Sequence, residues 1–186
     1  DTAPYDRETD LPYWEEDPEA AVKALNNCYT YLGNMDEQLY SEAMTDNAYT
    51  KQPNDFTQNI GNGSYSTADS YVKQVWDGRY TGIRMCNQLL ENIDRVPDLD
   101  PELKKRYIGE AKVLRAYNYY ELYTKFGDVP YTTKVLSIKE SMSIARTDRA
   151  TVIANMLADL DEVINGNYLP TSYDADNKGR ITRWAA

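Results

Sequence analysis

The chain has 186 residues, 41% of them hydrophobic, with a formal net charge of −10 and a pI near 4.5. That length supports one domain burying roughly 70% of the surface its unfolded chain exposes, and the acidic balance argues against a nucleic-acid partner, which needs a basic footprint. No apolar run reaches the length of a membrane-spanning helix, no basic amphipathic stretch suggests a membrane surface, and the absence of histidine removes the commonest general base and transition-metal ligand.

In chain order, residues 1–16 are acidic and irregular, with Tyr5, Tyr13 and Trp14 as anchors. Asp17-Pro18 opens a helix running to about Leu32, with Ala21, Leu25, Cys28 or Tyr29, and Leu32 on one face and Gly33 as its stop. A short helical stretch covers about Glu37 to Met44. Residues 45–70 then lose helical periodicity and become rich in Asn, Gln, Ser, Thr and Gly. Asn-Gly and Pro-Asn turn chemistry takes over. A loop of that length inside a compact domain tends to be functional or disordered.

A long helix returns from about Ala68 to Arg95, with Val72, Trp76, Tyr80, Ile83, Leu90 and Ile93 as its apolar stripe. Asn87 falls on that stripe, so its amide should be hydrogen-bonded, and a loop backbone is the natural partner. Asp100-Pro101 caps the next helix, which packs antiparallel on the previous one and runs to Phe126. It carries small residues at Gly109, Ala111 and Ala116 and an aromatic run at Tyr117, Tyr119, Tyr120 and Tyr123. Gly109 costs about 1 kcal/mol against Ala inside a helix, which implies close approach of a neighbouring backbone. Gly127 suits a left-handed cap and Pro130 forbids continuation. An extended segment follows to about Ser143. A helix spans about Asp148 to Asn165, with Ile153, Met156 or Leu157, Leu160 and Ile164 inward and Gly166 as cap. Residues 168–178 form a loop, and Arg180 to Ala186 opens one more helix.

Cys28 and Cys86 lie on apolar helix faces and read as buried small hydrophobes; whether they are bonded is not readable from sequence. Asp174-x-Asp176-x-Lys178-Gly179 begins like a calcium loop but has Lys178 at the fifth position and Ala185 at the twelfth, so it is not an EF-hand. Glu110 and Glu121 are about three turns apart on one helix, too far for a glycosidase pair. Glu121 and Lys125 form an i,i+4 pair, and Glu110 reads as a structural contact of Arg115. No phosphate loop, nucleophile elbow or metal cluster appears, so neither enzyme activity nor a cofactor is implied.

Four ordered blocks carry a family resemblance. Gly109, Glu110, Ala111, Arg115, Ala116 and Tyr119, then Phe126-Gly127-Asp128-Val129-Pro130, are similar to the most recognisable stretch of the SusD/RagB family. Trp76, Tyr80, Ile83, Asn87, Leu90 and Ile93 resemble that family's preceding helix. Arg146-Thr147 with Asp159-Leu160, and Leu169-Pro170 with Gly179-Arg180 and Ala185-Ala186, resemble two later segments. The resemblance covers essentially residues 1–186 and implies a mainly α fold of tetratricopeptide-like helical pairs, an α-solenoid scaffold with long irregular ligand loops. The residues form one N-terminal helical region. Family members are considerably longer, so the chain resembles an N-terminal portion whose last helix presents an exposed apolar face.

What the resemblance implies for function is capture of an oligosaccharide or polysaccharide outside the cell and delivery to a SusC-like TonB-dependent transporter. The protein would be an outward-facing lipoprotein of the outer membrane, attached only through a lipid anchor upstream of Asp1. The chain starts at Asp1 without methionine or signal sequence and so reads as a processed or trimmed product. Its seventeen tyrosines suit stacking of sugar C–H faces as well as core packing. The helix tyrosines Tyr80, Tyr107, Tyr117, Tyr119, Tyr120 and Tyr123 are assigned to the core. Tyr49, Phe56, Tyr65 and Tyr71, in or beside the Asn-rich loop, are the ligand candidates, together with Asp46 and Asn47 in the polar turn before it. Two alternatives stand beside this reading: a helical-repeat module that binds a protein partner and no small ligand, and a SusD-like binder of peptide or another nutrient.

Overall fold

A computed structural model describes residues 10–51 and 55–186, the first three by backbone alone. Tyr5 and the Pro53-Asn54 turn lie outside the described residues. Every regular element described is helical: α1 Asp10–Glu15, α2 Ala20–Tyr29, α3 Met35–Ala43, α4 Phe56–Gly61, α5 Ser70–Asn92, α6 Pro101–Phe126, α7 Ile138–Ser143 and α8 Arg149–Asn165, with 3-10 turns at Ile93–Arg95 and Arg183–Ala185. The chain divides into two compact units. The larger takes residues up to Tyr31 and then Arg79–Ala186, and the smaller is Leu32–Gly78.

In the larger unit α6 is the centre. Tyr107, Gly109, Glu110, Ala111, Val113, Leu114, Arg115, Ala116, Asn118, Tyr119 and Leu122 are all buried, so the middle turns of the helix are covered on most of their circumference. Asp100 caps it by accepting from Leu103 N at 2.9 Å, and Gly127 ends it at φ 70°, a backbone conformation that side chains disfavour. The Arg79 guanidinium reaches Glu121 and the Tyr117 ring, Gly82 meets Asn118, and Asn87 pairs with Arg115. That reversed order makes α5 and α6 antiparallel, as expected from their short connection. On another side, Lys112 and Arg115 reach Asp159 and Glu162 of α8, again in reversed order.

The main core joins Trp14, Ala20, Ala21, Leu25 and Cys28 to Cys86, Leu89 and Ile93 and to Tyr107, Ala111 and Leu114. Burying each large apolar side chain here contributes roughly 1.5–3 kcal/mol. Tyr13 packs edge-on against Trp14 with ring centroids 4.9 Å apart, so both act as the anchors expected of them. They do so from a short helix, not from an irregular segment.

Several boundaries and faces differ from expectation. α2 ends at Tyr29 because Thr30 N turns back to Asn27 O at 3.1 Å, and Leu32 stands exposed. Asp17 caps a turn ahead of α2 by accepting from Glu19 N at 2.8 Å. In α8 the buried face is Val152, Met156 and Val163, not Ile153 and Ile164; apolar residues at adjacent positions satisfy the helical period in two registers. Tyr120 is exposed and stands edge-on to Tyr123, with ring centroids 5.7 Å apart. Gly109 is crowded not by another helix backbone but by Tyr168 Cβ, 2.8 Å from where a Cβ would sit, and by Leu169. Residues 130–143 are extended only up to Ser137. There a reciprocal capping box between Ser137 and Glu140 starts α7. Residues 180–186 make a single 3-10 turn at Arg183–Ala185 and no α-helix, leaving Trp184 exposed.

The recognisable motifs tie this scaffold together. Asn87 donates to Thr132 O at 3.3 Å and Lys134 O at 3.1 Å, the loop-backbone role expected of it. Tyr119 OH donates to Thr132 O and accepts from Thr132 N, each at 2.8 Å. Val129 and Thr147 exchange backbone hydrogen bonds, while Asp128 accepts from Arg149 N and its carbonyl from Arg146. Cys28 and Cys86 are both buried and unbonded.

Candidate functional site

All six candidate ligand residues fall in the smaller unit, Leu32–Gly78. Its local order comes from capping. Asn34 Oδ1 accepts from Glu37 N at 3.0 Å and starts α3. Asp55 accepts from Thr57 N at 2.9 Å and Thr57 Oγ1 at 2.6 Å and starts α4. These two bonds hold the Asp55 carboxyl below the usual carboxylate range, with the Thr57 hydroxyl as the larger cause. Thr57 is buried and also bonds Thr50 Oγ1 at 2.8 Å, and Gln58 donates to Thr50 O at 2.7 Å. The chain is thereby folded back so that residues 49–50 run beside α4. A helix inside the Asn-rich loop was not expected. Its signals are Asp55 as N-cap and Gly61 at the far end, where an added Cβ would lie 3.2 Å from Met44 O.

The structure brings two candidates into direct contact. Phe56 stacks on Tyr71 with centroids 4.6 Å apart and planes 25° from parallel. Tyr40 of α3 also meets the Phe56 ring, tilted, with centroids 5.3 Å apart. Tyr40 is the aromatic that sequence reasoning missed; its only signal is its position on a short helix whose other apolar residues, Met35 and Leu39, find no cover. Tyr49 and Tyr65 are not drawn into this stack and are 78% and 49% exposed. Asp46 and Asn47 lie in a bend after α3, both exposed, with Asn47 N bonded to Thr45 Oγ1 at 3.2 Å. Near Tyr65, Gly63 takes φ 76° and Asn62 accepts from the Ser64 hydroxyl, a turn that fixes the residues just before the ring.

Of the eleven large hydrophobic side chains exposed among the described residues, Leu32, Met35, Leu39, Tyr40, Tyr49 and Tyr65 are in this unit. It therefore presents more apolar surface than its share of the chain. Its charges are seven carboxylates against Lys51 and Lys73, a formal net of −5, and Lys73 is already paired with Asp77. Among the described residues no three His, Cys, Asp or Glu side chains converge to hold a metal ion. Such a surface offers flat rings, amides and hydroxyls, which suits a neutral polyhydroxylated ligand.

In the larger unit the polar residues that stand out in sequence are structural. Glu110 is fully buried. Its carboxylate accepts from Tyr29 OH at 2.6 Å, Tyr173 OH at 3.3 Å and Arg180 at 3.2 Å. Arg106 Nε lies 3.3 Å away as an ion pair outside hydrogen-bond geometry. Arg115 points elsewhere, to Asp159 at 2.5 Å and Asn87 at 2.9 Å. The expected Glu110–Arg115 contact does not form because five helical residues place two side chains about 140° apart. Asp174 accepts from Asn177 N at 3.0 Å and forms a turn.

Comparison with known proteins agrees with the geometry. The model of the SusD-like family, described as starch-binding and associating with the outer membrane, matches residues 18–186. A SusD-like protein of Formosa agariphila is 26% identical over 94% of this chain and 38% of its own length. A SusD-like protein of Bacteroides fragilis has a solved structure that superposes with a TM-score of 0.81 at 28% identity, over 99% of this chain and 36% of that one. Surface glycan-binding protein A of Bacteroides uniformis superposes with a TM-score of 0.80 at 26% identity, over 91% of this chain and 40% of that one. The chain thus spans about two fifths of the length of these relatives. No described helix is long and apolar enough to cross a membrane. The fold is the helical, tetratricopeptide-like scaffold of these proteins, and the chain belongs to the SusD-like family.

Proposed function

We propose that this chain captures an uncharged oligosaccharide outside the cell, through the smaller unit, as part of a lipid-anchored outer-membrane protein that passes its cargo to a SusC-like TonB-dependent transporter. The observation that carries the ligand reading is the exposure of Tyr49 and Tyr65 in the same unit as the stack of Phe56, Tyr71 and Tyr40. A sugar ring lays its C–H face on an aromatic face, and its hydroxyls pair with side chains such as Asp46 and Asn47. The stack supplies rigidity, which lowers the ordering cost of binding. The reading is binding without bond-making. The net charge of −5 sets the ligand's sign: a sulfated or uronic polymer would bring like charges together, each pair costing about 1 kcal/mol at 4 Å in water.

Affinity electrophoresis of the chain in gels containing starch, a neutral β-glucan or a sulfated polysaccharide tests this. Retardation is expected with a neutral polymer only. Tyr49→Ala and Tyr65→Ala should each weaken it by about 1 kcal/mol, roughly fivefold, with Tm unchanged. If both variants bind every glycan as the parent chain does, these rings are not the site. If no glycan retards the chain and a protein partner is retained by the triple variant at Tyr49, Phe56 and Tyr65, the protein-interaction reading replaces this one.

A further inference from the structure

We infer that Cys28 and Cys86 are a disulfide site: oxidation joins α2 to α5 and closes the chain around the smaller unit. Four observations lead to this. Cys28 and Cys86 are both fully buried and belong to one core cluster. Within that cluster Cys28 is the largest single influence on the Cys86 thiol. The Cys28 thiol also donates to Ala24 O at 3.3 Å, which fixes its direction. The 57 residues between them contain all of Leu32–Gly78.

The chemistry is thiol–disulfide exchange with a disulfide oxidant, either a small molecule such as oxidised glutathione or a dithiol oxidoreductase. One cysteine thiolate attacks the oxidant's S–S bond, releases one oxidant thiol and forms a mixed disulfide. The second cysteine attacks the sulfur of the first and releases the other thiol. Two protons leave the pair, and two electrons reduce the oxidant.

The contact with Cys28, followed by burial, pushes the Cys86 thiol well above its ordinary range. Little thiolate therefore exists in the folded protein near neutral pH, and the core shields it from an oxidant. The bond accordingly forms as the chain folds, before α2 and α5 close over the pair, and afterwards resists reductants for the same reason. Closing a loop of this length removes unfolded-state entropy, so the oxidised protein melts several degrees above the reduced one.

The test uses the unmodified chain made in two ways: exported to a bacterial periplasm, and retained in the cytosol. Each sample is denatured in N-ethylmaleimide and weighed intact. The exported chain is expected to take no maleimide, to weigh two hydrogens less, and to yield a reducible peptide joining residues 28 and 86. The cytosolic chain should take two maleimides. The cytosolic chain refolded from urea with oxidised glutathione should reach the exported mass. Two maleimides on the exported chain, or a glutathione adduct on the refolded one, overturns the inference. The outcome is independent of whether the smaller unit binds a glycan.

Discussion

At the scale of residues, Glu110 shows what the family motif is for. A carboxylate this deep is tolerated only with partners. Here Tyr29, Tyr173, Arg106 and Arg180 surround it, from four places in the chain. Glu110→Ala leaves two guanidinium groups and two hydroxyls facing an empty space and should cost about 3–5 kcal/mol. Glu110→Gln keeps an acceptor for the hydroxyls and should cost less. Urea unfolding separates these outcomes; equal midpoints for the two variants would show that the cluster contributes shape and not pairing. The same view explains what sequence could tell. Asn87 and Glu110 stand out because a buried polar group fixes its partners, and Asp128 and Arg180 because each has a distinctive position in a pattern. Tyr49 and Tyr65 stand out only by composition. Nothing in the sequence around an exposed ring specifies what it touches, and the role of Tyr40 became visible only when Phe56 was placed beside it.

At the scale of elements, legibility follows length. α5, α6 and α8 each run over four or more turns and announce themselves by periodicity and caps, and their limits lie within a few residues of expectation. α4 and α7 have six residues each, too few for any period, and only their caps reveal them. α7 depends on its cap directly. The Ser137 amide, the Ser137 hydroxyl and Lys134 hold the Glu140 carboxyl down to about 2, and α7 buries no side chain to compensate for losing them. Ser137→Ala should destabilise this turn by about 1 kcal/mol. Hydrogen exchange should accelerate at residues 138–143 while the global Tm stays constant; a global shift would mean that α7 is coupled to the core. Because folding lowers the Glu140 pKa from 4.5, its contribution is present above that value and disappears as pH falls toward 2. Local protection of α7 should follow the same window.

At the scale of the whole molecule, tyrosine sets the alkaline limit of the fold. Burial raises Tyr29, Tyr80, Tyr119 and Tyr173 well above the ordinary value of 10.0. A raised folded-state pKa means that stability is complete below pH 10 and falls as pH rises beyond it, because the unfolded chain releases these protons more readily. Tyrosinate absorbance should therefore rise in two stages: exposed rings titrate first, and the buried ones ionise together with loss of helical circular dichroism. A single smooth titration with intact helices would show that the buried hydroxyls reach solvent without unfolding. The two compact units were not legible in the sequence, since α5 runs through their boundary without a break in pattern. That boundary has an evolutionary consequence. The smaller unit leaves the larger after Tyr31 and rejoins it at Arg79, and those two residues are joined to each other by the Arg79 guanidinium on the Tyr31 carbonyl at 2.8 Å. The seam is sealed from the scaffold's side. On the function proposed above, a lineage that exchanges Leu32–Gly78 for a segment with different rings and charges acquires a new diet, and the Arg79–Tyr31 bond needs no change.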